Sequence, residues 1–224
     1  CTVLMDISKR IAFIASQTDG RIVADIGCDH GYTACLAVLN GKAEKSYACD
    51  VAQGPLNHAK ATIQACHLED RVFPVLSNGL ENVPDDTEQI VIAGMGGQLI
   101  CTILSAFPAK TAQADSLILS PHKDPELVRQ WLEENGWVIE QEYVIEDGNF
   151  YPLIRAVKGQ MALEPWQQYY GLHVHPDEQA SAYLKDQKRR WTIIHNKTPE
   201  EKRKKASLRL QWIDQAALAL GMEA

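Results

Sequence analysis

Asp25, Gly27, Asp29 and Gly31 recur at every second position of the stretch Val23-Ala24-Asp25-Ile26-Gly27-Cys28-Asp29-His30-Gly31. An apolar run enters this stretch and a helix-compatible run leaves it, so the spacing predicts a buried strand passing through a glycine turn into a helix. Such a turn lets a ligand approach the backbone, and the helix N-terminus offers free amide N–H groups and the positive end of a dipole. A dinucleotide fingerprint would read G-x-G-x-x-G. Here the glycines are Gly27 and Gly31, with Asp29 between them. A carboxylate in the turn repels a pyrophosphate and attracts a ligand that carries an amino group and a sulfonium cation. S-adenosylmethionine is such a ligand, and a tight strand-to-helix turn without any ligand is the plainer alternative.

Further candidates follow at the ends of later apolar runs. Asp50 closes Tyr47-Ala48-Cys49-Asp50, where a carboxylate can accept hydrogen bonds from both ribose hydroxyls of a nucleoside, with Val51 beside it. Asn78-Gly79 follows the next run, placing an amide acceptor for an adenine amino group beside a residue suited to a turn. Ala93-Gly94-Met95-Gly96-Gly97 follows the fourth, and three glycines in four residues expose backbone for the close approach of a flat base. The bland alternatives are a helix-capping Asp50, an ordinary Asn-Gly loop and a merely connecting glycine segment.

The elements that would position these residues are legible as alternating patterns. Ile7, Ile11, Ile14 and Ala15 recur at helical spacing around Ser8, predicting an opening helix. Strand-like runs are expected at 21–26, 46–49, 72–76, 90–93 and 116–120, with helices at 31–40, 53–66, 97–106 and 125–135. After Asn135-Gly136, the runs Trp137–Ile145 and Tyr151–Val157 flank Glu146-Asp147-Gly148-Asn149 and predict a β-hairpin. Five parallel strands closed by a terminal antiparallel hairpin form an α/β, Rossmann-like sheet of the class I methyltransferase layout.

Composition bounds the function classes. With 224 residues, 46% of them hydrophobic, the chain can bury a full core. No run approaches the roughly 18 apolar residues of a membrane span, and no signal-like leader is seen, so a cytoplasmic protein is expected. Six cysteines without a C-x-x-C pair predict free thiols in a reducing compartment, and no ligand spacing suggests a metal, so none is expected.

The formal charge of −7 is unevenly spread. Residues 183–209 carry ten basic side chains (Lys185, Lys188, Arg189, Arg190, Lys197, Lys202, Arg203, Lys204, Lys205 and Arg209) against three acidic ones. An acidic body, residues 1–158, with a basic helical appendage, residues 159–224, is therefore expected, and the appendage is the candidate RNA contact. Ala180, Tyr183, Leu184, Trp191 and Ile194 share one helical face within 176–196. Thr198-Pro199-Glu200-Glu201 predicts a capping box, and Ala206, Leu210, Ile213, Ala217 and Leu220 form a heptad seam. A coiled-coil-like antiparallel hairpin is expected, packed on itself or on the body.

Together, Asp25-Ile26-Gly27-Cys28-Asp29-His30, Asp50 with Gly54-Pro55, Asn78-Gly79-Leu80-Glu81, Ala93-Gly94-Met95-Gly96-Gly97 and Glu146-Asp147-Gly148 resemble the bacterial tRNA (adenine(22)-N1)-methyltransferases over residues 5–157. The resemblance implies transfer of a methyl group from S-adenosylmethionine to N1 of an adenine in tRNA. It implies a cofactor site made of Asp25, Gly27, Cys28, Gly31, Asp50, Val51, Asn78, Gly79, Ala93, Gly94 and Met95. Asp29 is then the first choice for the catalytic carboxylate, with His30 beside it for orientation or proton relay. Rival expectations are a methyltransferase acting on a small molecule or protein, and a non-catalytic scaffold of the same fold; a monomer and a tail-mediated dimer are both open.

Overall fold

The computed structural model describes Leu4 and residues 7–222. In chain order the elements are α1 (Lys9–Ser16), β1 (Ile22–Ile26), α2 (Tyr32–Leu39), β2 (Lys45–Asp50), α3 (Gln53–Ala65), β3 (Val72–Leu76), β4 (Gln89–Met95), α4 (Gly97–Ala106), α5 (Pro108–Gln113), β5 (Ser116–Pro121), α6 (Pro125–Glu134), β6 (Trp137–Glu146), β7 (Phe150–Lys158), α7 (Pro165–Tyr170), α8 (Glu178–Lys197) and α9 (Lys204–Ala219). Every expected strand and helix is present. The sequence patterns missed α5 and α7, each six residues long and begun by a proline, too short for a helical period to show.

The strands form one sheet in the order β3-β2-β1-β4-β5-β7-β6. β1 to β5 pair in parallel, and β7 runs antiparallel to both β5 and β6. The central strands are buried on both faces, which explains their nearly unbroken apolar runs. Successive side chains alternate between the faces. Ala24, Ile26, Ile92 and Leu119 meet Ile100, Leu104, Val128 and Leu132 of α4 and α6. Val23, Val91 and Ile118 meet Ile14, Val38, Leu56 and Ile63 of α1, α2 and α3 on the other side. Each fully buried Ile or Leu contributes about 1.5–3 kcal/mol, so this two-sided core fixes the strand ends in space.

Because the strand order turns back at β1, chain leaves β1 and β4 in opposite directions and opens a crevice at their carboxyl ends. The expected glycine turns follow those two strands.

The tail packs both on itself and on the body. Ile213, Ala216 and Ala217 of α9 bury against Leu184 of α8 and Tyr170 of α7, while Ala180 meets Val144 and Val174. The anticipated seam holds at Ala206, Ile213 and Ala217, but on the expected face of α8 Ile194 is 43% exposed. The capping box is corrected outright. Thr198 is the C-terminal cap of α8, its hydroxyl donates to the Ile194 carbonyl, and Glu200–Lys202 forms a 3-10 turn ahead of α9.

A buried ion pair fastens the tail to the body. Arg129 Nη2 lies 2.8 Å from Glu142 Oε2, with side chains 4% and 1% exposed. Arg129 Nη1 also donates to the carbonyls of Gln168 and Tyr169, and Glu142 Oε1 accepts from the Leu172 amide. The pair thus satisfies the backbone on either side of the α7 C-terminus. Burial opposes the guanidinium charge, and the Glu142 carboxylate holds it, with the net effect of raising the Arg129 pKa.

Cys28, Cys35, Cys49 and Cys101 are free thiols. Cys66 is disulfide-bonded, which corrects the expectation of free cysteines at that position; Cys1 lies outside the described residues. Bridging depends on Cα atoms coming within about 7 Å, which spacing along a chain does not report. Among the described residues no helix is long and apolar enough to cross a membrane.

Candidate active site

The turn after β1 is held by main chain. The amides of Gly27 and Cys28 both donate to the Cys49 carbonyl at the end of β2, at 2.8 and 3.0 Å. Gly31 caps α2 in the left-handed region at φ 69°, and a Cβ there would stand 3.0 Å from Cβ of Ala59, so only glycine lets α3 pack this close. Asp29 also has a positive φ of 47°. Its amide donates to Asp50 Oδ2 at 3.3 Å, and Asp50 Oδ1 accepts from the Ala52 amide at 3.0 Å. Asp50 therefore ties the two turns together.

Asp25 sits beneath this surface. It is 4% exposed, and desolvation, reinforced by the neighbouring charge of Asp50 and opposed by the Ala34 amide, pushes its carboxyl up to about 7. Its contact with the start of α2 makes it a support of the turn. Cys28 is likewise buried, and burial raises its thiol far above the ordinary range. Gly27, Gly31, Asp50 and Val51 line up along the crevice, Val51 being 67% exposed at its rim. Asn78 is exposed after β3, with Gly79 at φ 58° and Ser77 bracing the loop through the Gly79 carbonyl and the Asn82 amide.

The turn after β4 faces the turn after β1. Met95 lies against Gly27 closely enough that its methyl group fills the space a Cβ would need. Gly94 is exposed, has φ 82° and falls at a break in the β4–β5 register between Ala93 and Met95. The following loop docks onto it, His122 N donating to the Met95 carbonyl at 2.8 Å and Gly97 N to the Lys123 carbonyl at 2.9 Å. Gly97 abuts the Asp124 carbonyl and leaves no room for a side chain.

Asp29 and His30 occupy the outer rim. Asp29 is exposed, and its Oδ2 lies 3.6 Å from His30 Nε2. The His30 ring stacks between Tyr32 at 5.1 Å and His58 at 4.7 Å. His30 does not cap α2, which has no side-chain cap. Asp29, His30 and His58 each offer a possible ligand atom within 4.8 Å of the other two, a grouping hidden in the sequence because His58 comes from α3.

One further residue of this edge, Arg10, was not singled out from the sequence. His122 packs edge-on against Tyr151 at 5.5 Å, and Arg10 lies over the same tyrosine at 4.7 Å. Desolvation and the Arg10 charge lower the His122 pKa, against an opposing hydrogen bond that the imidazole donates to the Gly94 carbonyl. Tyr151 was visible as an aromatic of the hairpin and His122 as part of Ser120-Pro121-His122 after the fifth strand, whereas Arg10 carried no signal, since it acts through a fold contact.

Residues 7–154, well over half of the chain, match the model of the family described as "Methyltransferase domain". The chain belongs to the methyltransferase family. The chain is 35% identical over 158 residues to the tRNA (adenine(22)-N(1))-methyltransferase of Bacillus subtilis, an alignment covering 69% of this chain and 66%, just under two thirds, of that protein. Among solved structures it is similar to a candidate tRNA (m1A22) methyltransferase of Streptococcus pneumoniae, with a TM-score of 0.85 and 29% identity over 94% of this chain and 99% of the other. The structure of M. capricolum TrmK in complex with S-adenosyl-homocysteine has a TM-score of 0.82 and 26% identity, covering 96% and 99%. The structural likeness extends through the tail, whereas the match to the family model ends at residue 154.

The tail divides the ten expected RNA contacts of this methyltransferase into two sets. Lys185, Lys197, Lys202, Lys204 and Lys205 are exposed and form no ion pair among the described residues. Lys188 pairs with Asp214, and Arg189 and Arg190 both pair with Asp186. Arg203 Nε donates to the Thr198 carbonyl, and the Arg209 guanidinium lies over the Tyr169 ring.

Proposed function

We propose that this protein is an S-adenosylmethionine-dependent methyltransferase that modifies N1 of an adenine in tRNA, the position 22 named for its Bacillus relative, in the cytoplasm. The observation that carries the proposal is the crevice between the β1 and β4 turns, with Asp29 on its rim. The crevice fits the cofactor: Gly94 leaves exposed backbone at positive φ, Gly27 turns the chain beneath the Met95 methyl group, Asp50 stands at the end of β2, and Val51 gives an apolar rim. Gly31, Asn78, Gly79, Ala93 and Met95 complete that site, with Asp25 and Cys28 supporting it from below. When bound, the cofactor supplies an electrophilic methyl group.

Little else is required of the protein chemically. Adenine N1 has an in-plane lone pair and no proton, so the acceptor needs alignment and exclusion of water more than deprotonation. Methylation leaves a positive charge on the purine. The Asp29 carboxylate opposes that charge and can take the N6 proton as it leaves, and His30, fixed by the stacked rings on either side, orients Asp29. The exposed lysines of α8 and of the segment leading into α9 meet phosphates while the target base is unstacked into the crevice.

The test is incubation of the full chain with unmodified tRNA and methyl-labelled cofactor, followed by mapping of the modified nucleotide. Label at N1 of a single adenine is expected. Label on protein or small molecules alone would sink the proposal, and no binding of the cofactor in calorimetry would leave only a scaffold.

A further inference from the structure

Between the body and the tail runs a groove of about 270 Å³ that the chemistry above leaves unused. It is smaller than the roughly 300–1,000 Å³ of a pocket enclosing a whole ligand, and it suits one unit of a longer chain. One end is formed by His122, Pro125 and Glu126, the other by Arg190, Trp191 and Arg209. His122 Nε2 also stands beside Gly94, 3.5 Å from where a Cβ would sit, so the groove begins at the acceptor edge of the crevice.

Three features of the groove point to a ligand. The Arg209 guanidinium carbon is 3.3 Å from the Tyr169 ring centroid and 5.2 Å from that of Trp191, and Arg209 forms no ion pair among the described residues. A guanidinium lying on aromatic faces keeps its in-plane donors available for an oxyanion. Tyr170 is 5% exposed and lines the groove, and its buried hydroxyl lies beside the Arg209 guanidinium without a well-formed hydrogen bond. A buried hydroxyl left unpaired is costly, and a ligand oxygen in the groove would satisfy it. Glu126, the acidic residue of the groove, is near enough for its charge to act on Tyr170 and Tyr183, so it confines a phosphate to the Arg209 guanidinium and can accept from a base amino group.

We propose that this groove holds one nucleotide of the RNA next to the target adenine, its phosphate on Arg209 and the Tyr170 hydroxyl and its base toward Glu126 and His122. The proposal rests on the tRNA methyltransferase function above and adds to it a subsite that couples tail to crevice. The Arg129–Glu142 pair, bonded to the carbonyls of Gln168 and Tyr169, helps hold α7 against the body where the groove forms.

Tyr170→Phe in the full chain removes only the hydroxyl. Its kcat/KM for tRNA should fall about tenfold, through KM, the size expected for one lost hydrogen bond to a charged group. Its melting temperature should change little and its affinity for S-adenosylmethionine should not fall, since in the free protein that hydroxyl makes no well-formed hydrogen bond and Arg209 keeps its place on the Tyr169 ring. Arg209→Lys, which keeps the charge and loses the fork, should raise KM for tRNA similarly. A tRNA carrying 4-thiouridine beside the target adenine should crosslink to the segment 165–175 or to α8 or α9. Wild-type KM values in both variants would overturn the proposal, as would crosslinks confined elsewhere or a Tyr170→Phe loss matched by lower stability. Failure of the wild-type protein to methylate any tRNA would remove the function beneath it, an outcome separate from those of the variants.

Discussion

In the proposed function the crevice at the carboxyl edge of the sheet and the basic tail meet the same RNA, yet they are organised in opposite ways. In the crevice the main chain does most of the positioning: Gly27 and Cys28 hang from one carbonyl of β2, Gly97 seats against Asp124, and side chains enter only as the carboxylates of Asp50 and Asp29. In the tail the side chains decide everything, and half of the cationic ones are already engaged with Asp186, Asp214, a carbonyl or an aromatic ring. A backbone-built site is written in glycines and turn residues that hold their places in the sequence. A side-chain surface depends on which charge finds an internal partner, and only packing decides that.

The comparison breaks most visibly at the joint between the regions. Glu142→Ala leaves Arg129 charged and buried without its partner, so a loss of about 3–5 kcal/mol is expected in urea unfolding. A two-step transition, with the tail melting first, would show that the pair fastens one region to the other; an unchanged midpoint would show that it does neither.

On the crevice side, Asp29→Ala should lower kcat by about a hundredfold, the low end of what a positioned acid or base contributes, with cofactor binding retained. Wild-type kcat in that variant would reduce Asp29 to a turn residue.

Asp25 gives a subtler probe of the same region. Its carboxyl is raised in the folded protein to about 7, so the folded state binds the proton more tightly than the unfolded one. Its favourable contribution is complete below the unfolded pKa, near 4, and is lost as pH rises through about 7. Asp25→Asn should therefore become more stable relative to the wild type as pH climbs from 4 to 8, by about 1–2 kcal/mol after discounting for relaxation around the site. A pH-independent difference between the two unfolding midpoints would remove the linkage.

On the tail side the effects should be smaller and additive. Replacing Lys197, Lys202, Lys204 and Lys205 singly by Ala should raise KM for tRNA about two- to fivefold each and flatten its salt dependence by somewhat under one logarithmic slope unit per lost phosphate contact. Lys188→Ala should do less, because that side chain already meets Asp214. Equal losses at Lys188 and Lys204 would erase the distinction between engaged and available charges.

Legibility follows the same division. The strands and main helices were readable because a sheet buried on both faces demands long apolar runs between turn residues, and β3 and α4 were anticipated to the residue. The short helices α5 and α7 were not readable, and neither was the end of α8, where Thr198 turned back onto Ile194 instead of opening the next helix. Local sequence offered two uses for one hydroxyl, and the direction in which the chain left α8 selected one. In the crevice, Asp29, Asp50 and Gly94 were visible by type and spacing, whereas His58 reaches His30 from α3, and Arg10 of α1, Tyr151 of β7 and His122 of the loop after β5 meet only after folding.

By itself, the sequence determined the alternation of strands and helices, the glycine turns at the sheet edge, the carboxylates within them and the concentration of positive charge near the C-terminus. These are local properties, set by backbone conformation and by residue order. The tertiary structure alone decided that Asp25 lies under the crevice and Asp29 on its rim, that Arg129 and Glu142 bury each other, and that Arg209 lies on aromatic rings while Lys204 faces water. Those outcomes depend on which distant groups share a low-dielectric interior, and a charge is worth something different in each place.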